Sequence, residues 1–149
     1  MLSQSVEDYL EAIYNISLIR GYARTKDISR ELNITPPSVT EMLNKLSNMK
    51  LVNYKRYDGV KLTKKGEKIA KVVKTRHETI KKLLKIILIS DKVAEKDACK
   101  LEHELSPETI EQLTKFVKFV ENAPLYPKWL EHFKEFCRTG KYICKHKKF

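Results

Sequence analysis

Cys99-Lys100-Leu101-Glu102-His103 brings a thiol, a carboxylate and an imidazole within five residues of one another. In a helix, positions three and four apart share a face, so Cys99, Glu102 and His103 can converge on one point. Thiolate, carboxylate and imidazole together suit a first-row transition ion rather than calcium or magnesium. Asp8 and Glu11 repeat the three-residue spacing near the start of the chain, and His77 stands by itself well before the cysteine cluster.

Each of these side chains also has an ordinary reading. Asp8 can complete a capping box with Ser5 and favour the positive end of a helix. Glu11 can be a surface charge, Cys99 a small buried hydrophobe beside Ala98 and Leu101, and Glu102-His103 a solvent-facing pair. Periodicity does not decide between the two readings and favours the ordinary one, because nothing in it brings three helices together.

The elements that must position these residues are mostly helical. Ser3 or Ser5 caps a first helix with Val6, Leu10, Ile13 and Tyr14 on its apolar stripe, and Gly21 ends it. A short helix runs from Thr25 to Leu32, Asn33-Ile34 turns, and Thr35 caps a third helix with Pro36 in its first turn, continuing to about Lys50. Two β-like runs, Leu51 to Arg56 and Val60 to Thr63, flank Asp58-Gly59, a strong hairpin turn pair. This order and these short spacings predict a winged helix-turn-helix. A long helix from Thr63-Gly66 to Ile87 follows, then a helix from Ser90-Asp91 toward Leu105. Ser106-Pro107-Glu108 starts a helix whose apolar face is Ile110, Leu113, Phe116, Val117 and Val120. Pro124 and Pro127 mark a linker before a short amphipathic helix, Trp129 to Cys137, and a basic tail. The expected class is mainly α, with a DNA-binding domain over residues 1–70 and a helical metal-binding and dimerisation domain over 71–149.

The chain has 149 residues, 42% hydrophobic and 33% charged, with a formal charge of +11 at pH 7. That composition fits a globular protein, and the charge favours polyanionic partners, nucleic acid before membrane. No apolar run reaches the roughly 20 residues needed to span a bilayer. The start has no basic n-region, and three widely separated cysteines do not make a disulfide framework, so the expected setting is the cytoplasm.

In a helix-turn-helix the second helix offers its first turns to the major groove. Here that surface carries Thr35, Pro37, Ser38, Thr40 and Glu41, with Lys45 a turn further at phosphate range. Hydroxyls bond either base type, Pro37 can touch a thymine methyl, and Glu41 can accept from a cytosine amine; without that partner its charge opposes binding. Lys55, Arg56, Tyr57 and Lys61 gather at the wing, where backbone contacts belong. The alternative is a solvated polar face used for protein contact.

Six stretches, in this order, carry a further signal: Val6-Glu7-Asp8-Tyr9-Leu10-Glu11-Ala12-Ile13-Tyr14, Ala23-Arg24-Thr25-Lys26-Asp27-Ile28, Thr35-Pro36-Pro37-Ser38-Val39-Thr40, Leu62-Thr63-Lys64-Lys65-Gly66, Arg76-His77 and Cys99 through Ser106. By them the chain resembles the diphtheria-toxin-repressor-like family of iron- and manganese-dependent regulators. The resemblance covers about residues 3 to 121 and implies a metal site whose ligands here are Asp8, Glu11, His77, Cys99, Glu102 and His103. The set is a hybrid: a carboxylate at Asp8 belongs to the manganese branch, a cysteine at Cys99 to the iron branch. The softer thiolate points to Fe(II) and the carboxylates to Mn(II), with iron slightly preferred. For the family's ancillary site, His77 and Glu95 stand at ligand positions, but Lys81 replaces a carboxylate and an ammonium cannot bind a metal. An iron-type ancillary site is therefore not expected; one ion, or a manganese-type pair sharing Glu102, is. The SH3-like domain of longer relatives has no room here. Cys137, Cys144 and His146 match no standard zinc knuckle.

The resemblance implies a homodimeric repressor of metal-uptake genes, not an enzyme, that binds a palindromic double-stranded operator when one or two Fe(II) or Mn(II) ions are held per subunit. The rival within the same class is a metal-independent winged-helix regulator that answers to a small organic ligand. A metallohydrolase lacks a clear general base beside an open metal position, and a structural metal-binding adaptor would have no salt-dependent affinity for duplex DNA.

Overall fold

The computed structural model describes residues 2–142, which divide within one helix into two compact units, Met1–His77 and Glu78–Phe149. The first unit begins with α1 (Gln4–Arg20), α2 (Thr25–Leu32) and α3 (Pro36–Asn48), followed by β1 (Val52–Lys55), β2 (Gly59–Leu62) and the first part of α4 (Lys64–Ile86). Apolar spacing supplies its core: Val6, Leu10 and Ile13 of α1 bury with Ile28 of α2, Val39, Leu43 and Leu46 of α3, and Leu51, Val52 and Val60 of the wing.

Helix starts follow the expected chemistry more closely than helix ends. Ser3 is the N-cap of α1 by its backbone angles, although its hydroxyl makes no capping bond. Ser5 therefore lies inside the helix, and the capping box that would have explained Asp8 does not form. Gly21 closes α1 in the left-handed region at φ 79°. Asn33, Lys50 and Leu88 also adopt positive φ, the last two without the usual glycine or asparagine. Each is held by a six-residue backbone bond from the next amide: Ile34 to Ser29 at 3.0 Å, Leu51 to Leu46 at 3.0 Å and Ile89 to Leu84 at 3.0 Å.

The wing corrects one sequence expectation. Asp58-Gly59 is not the turn: Gly59 pairs with Lys55 as the first residue of β2, and Arg56-Tyr57-Asp58 form the tip. Asp58 N–H donates to Lys55 O at 3.2 Å, giving a three-residue loop closed by a left-handed glycine. Gly59 sits at φ 88°, and a Cβ there would stand 2.8 Å from the Tyr22 ring and 2.9 Å from Ala23 O. Ala23 and Val60 exchange backbone bonds of 3.0 and 2.7 Å, a one-residue third strand that no sequence pattern announced.

Thr63 fastens the wing to α4. Its amide donates to Leu51 O at 3.0 Å, its hydroxyl donates to Lys50 O at 2.8 Å, and that hydroxyl in turn accepts from Gly66 N at 3.1 Å. Farther along α4, Lys74 Nζ donates to Asn15 Oδ1 at 2.7 Å, joining α4 to α1 within the first unit.

The second unit contains the rest of α4, then α5 (Asp91–Leu101), α6 (Pro107–Glu121) and α7 (Lys128–Thr139). Ile80, Ala94, Ala98, Val117 and Leu130 are its buried apolar residues. Lysines along α4 reach acidic partners on its neighbours: Lys81 to Glu95 at 2.5 Å, Lys85 to Asp91 at 2.7 Å and Lys82 to Glu121 at 2.9 Å. Ser106 caps α6 as expected, accepting from Thr109 N at 3.2 Å. The helix expected to run to Leu105 stops at Leu101, because Ser106 must be extended at ψ 155° before Pro107 and the intervening residues make that turn.

Candidate metal centre and DNA-facing surface

Each unit carries part of the expected donor set. In the first, Asp8 and Glu11 lie one turn apart on α1, both half-buried. His77 is on α4 and is buried, with 6% of its surface exposed.

In the second, Cys99 is near the end of α5, while Glu102 and His103 stand just past its last residue rather than inside it. The overlap with a helical path persists, since Glu102 N–H still donates to Ala98 O at 3.0 Å. Glu102 is 1% exposed, and His103 Nε2 stands 3.1 Å from its Oε1. Solvent-facing placement of this pair is therefore ruled out. Cys99 is exposed and Ala98 takes the buried position, so the cysteine is not a core residue.

A carboxylate as deeply buried as Glu102 is stable only when paired or tied up by hydrogen bonds. An imidazole nitrogen beside a carboxylate oxygen makes a donor pair of intermediate hardness, suited to Fe(II), Mn(II) or Zn(II). Two ligand atoms about 2.1 Å from one ion at a right angle would be about 3.0 Å apart, so the separation of this pair is compatible with a shared cation. The residues present fit a divalent transition ion.

Glu95, four residues before Cys99, is engaged by Lys81. The hydrogen bond to Glu95, more than its charge, holds the Lys81 ammonium above the ordinary lysine value.

The DNA-facing residues of the first unit form an open surface. Thr35, Pro37, Ser38, Glu41 and Lys45 are exposed and Thr40 is half-buried. Thr35 is the N-cap of α3, but its hydroxyl meets Ser38 Oγ at 3.0 Å instead of capping the backbone. Thr40 donates to Pro36 O at 3.2 Å, leaving its oxygen able to accept. In the wing the strand register alternates faces: Val52, Tyr54, Val60 and Leu62 turn inward, whereas Asn53, Lys55 and Lys61 share the outer face. Arg56 and Tyr57 stack at the tip, with the guanidinium 5.9 Å from the ring centroid and Tyr57 almost fully exposed. Sequence reasoning passed over Arg24, which lies over the Tyr22 ring beside the wing and donates to its hydroxyl at 2.8 Å. Its only signal was one more basic residue at a helix start.

Comparison with known proteins is consistent with both surfaces. Residues 1–60 match the family described as iron dependent repressor, N-terminal DNA binding domain, and residues 63–130 match iron dependent repressor, metal binding and dimerisation domain. The chain belongs to the iron-dependent repressor family.

Among curated members, it is 40% identical over 121 residues to the HTH-type transcriptional regulator MntR of Shouchella clausii, covering 81% of this chain and 85% of that one. It is 43% identical over 119 residues to an uncharacterized HTH-type regulator of Methanocaldococcus jannaschii, covering 78% and 95%. Among solved structures, T. acidophilum IdeR superposes with a TM-score of 0.67 at 30% identity over 73% of this chain. The manganese regulator SloR gives 0.66 at 31% over 83%. The match spans 52% and 54% of those two solved chains, about half their length. As a member of this repressor family, the protein is a metal-dependent, DNA-binding transcriptional regulator with a dimerisation domain, not an enzyme. No described helix is long and apolar enough to cross a membrane.

Proposed function

We propose that this chain is a homodimeric repressor that binds a palindromic operator once Fe(II) or Mn(II) is held, and thereby controls metal-uptake genes in the cytoplasm. The observation that carries the reading is the buried Glu102 carboxylate with His103 Nε2 at 3.1 Å, one helical turn past Cys99. Asp8, Glu11, His77, Cys99, Glu102 and His103 are the ligands. Cys99 contributes a soft thiolate, which favours Fe(II) over Mn(II) among otherwise hard donors. When bound, the ion supplies a double positive charge and a coordination preference that no side chain here provides.

The protein's own contribution is to distribute these ligands. Asp8, Glu11 and His77 belong to the unit of residues 1–77, and Cys99, Glu102 and His103 to the unit of residues 78–149. Ligands so divided are satisfied together in only one arrangement of the chain, which is then selected by differential affinity. Converting a mostly inactive population to a mostly active one needs about 5.5 kcal/mol of preference, within the range of transition-metal ligation.

On DNA, Thr35, Pro37, Ser38, Thr40 and Glu41 read base edges, while Lys45, Lys55, Arg56 and Lys61 hold phosphates. A two-fold dimer presents two such surfaces to the half-sites of a palindrome. The test is anaerobic operator binding with Fe(II), Mn(II), Zn(II) and chelator in parallel. Iron and manganese should tighten binding by orders of magnitude over chelated protein. Equal affinity in all four arms would refute metal control and favour a metal-independent winged-helix regulator.

A further inference from the structure

We infer that Lys81 is a built-in cation that occupies the Glu95 end of the α5 donor row and keeps a metal ion from binding there. The inference rests on the metal-dependent reading proposed above and concerns which carboxylates of this chain remain open to an ion. Glu95, Cys99, Glu102 and His103 follow one another at intervals of four, three and one along α5 and its continuation, so they share one face. The row has two ends of different character.

At the far end Glu102 is 1% exposed and faces an imidazole, a neutral donor unless protonated. At the near end Glu95 is half exposed and faces an ammonium at 2.5 Å. A carboxylate with a resident ammonium has its negative charge offset, and the ammonium itself has no lone pair to donate. A divalent ion binding at Glu95 and Cys99 would have to displace Lys81 or tolerate its positive charge a few ångströms away. Repulsion between like charges at such distances amounts to several kcal/mol at a partly solvated site.

Lys81 is also one of three lysines on α4 that pair with neighbouring helices, together with Lys82 to Glu121 and Lys85 to Asp91. The α4–α5 connection therefore has its own fixed charge, and no ion at Glu95 is needed to make it.

The experiment measures metal content per subunit after equilibrium dialysis against Mn(II), by elemental analysis, for wild type, Glu95→Gln, Lys81→Gln and Lys81→Glu. Wild type and Glu95→Gln should hold the same number of ions. Lys81→Glu should hold one more, and Lys81→Gln, which removes the charge without adding a carboxylate, should bind the extra ion more weakly. Circular dichroism without metal checks folding, and if Lys81→Glu does not fold, Lys81→Gln and Glu95→Gln decide. Loss of one ion in Glu95→Gln, or an unchanged count in both folded Lys81 variants, would overturn the inference. A wild type that binds no metal at all would instead overturn the proposed function.

Discussion

Gly66→Ala separates two physical effects of opposite sign. Helix propensity alone predicts a gain of about 1 kcal/mol, because Gly66 lies in the first turn of a 23-residue helix and alanine loses less backbone freedom on folding. The structure predicts a loss. A Cβ at Gly66 would stand 2.0 Å from Leu51 O, a backbone atom that cannot swing aside. Relief requires the start of α4 and the chain entering β1 to separate by roughly an ångström, an overpacking strain of about 1–3 kcal/mol. The same movement stretches the 3.0 Å bond from Thr63 N–H to Leu51 O, worth about 1 kcal/mol. Offsetting the propensity gain against the weakened bond leaves a net destabilisation of about 1–3 kcal/mol. For a cooperative unit of this size each kcal/mol lowers Tm by about 4–8 °C, so a fall of roughly 10 °C is expected. Thermal and urea unfolding followed by circular dichroism measure it, with the urea slope unchanged. A variant as stable as wild type, or more so, would refute the close approach of Leu51 to α4.

Other consequences can be checked separately. His103→Ala should preserve the dimer in sedimentation analysis and lose the metal-dependent gain in operator affinity; a wild-type metal titration from this variant would remove His103 from the ligand set. Lys55→Ala and Arg56→Ala should each flatten the dependence of log affinity on log salt by about 0.9 for every phosphate no longer neutralised, whereas unchanged slopes would take the wing tip off the DNA backbone. Asp91 is held below the usual carboxylate range, first by its hydrogen bond to Lys85 and then by that lysine's charge. A depressed folded-state pKa stabilises above the unfolded value, and that stability disappears as pH falls through the folded one. Asp91→Asn should therefore lose a small increment of stability at neutral pH and show a shallower acid limb; an acid limb identical to wild type would mean that the Lys85 pair contributes nothing.

Much of the fold could be read because local chemistry and tertiary burial agree. The Thr25–Leu32 helix, the Thr35-Pro36 start and the Ser106-Pro107 start all fall where capping and proline rules place them. Helix ends were harder to read. Lys50 and Leu88 take left-handed conformations that lysine and leucine do not advertise, and tertiary packing imposes them. Asp58-Gly59 misled because the pair marks a turn without saying which residue rejoins the strand. The close packing of Tyr22 and Ala23 against Gly59, distant in sequence, settles that. For the candidate site, Cys99, Glu102 and His103 drew attention by type and spacing, but spacing could not distinguish a buried acid from an exposed one. The burial of Glu102 and the engagement of Glu95 by Lys81 are properties of neighbouring helices. The tail residues Cys144 and His146 lie outside the described residues, and Cys137 is exposed on α7.

The Ala23–Val60 bridge has a consequence for solubility. By exchanging both bonds with Ala23, Val60 uses its backbone on the outer side of β2, so Tyr54 and Val60 oppose each other as a pair without mutual hydrogen bonds. The ribbon's unpaired margin is thereby confined to β1, four residues long with Lys55 at one end. A short margin ending in a fixed charge is a poor template for strand addition from another molecule. The protein can offer an extended basic ribbon to DNA without inviting its own copies to stack on it.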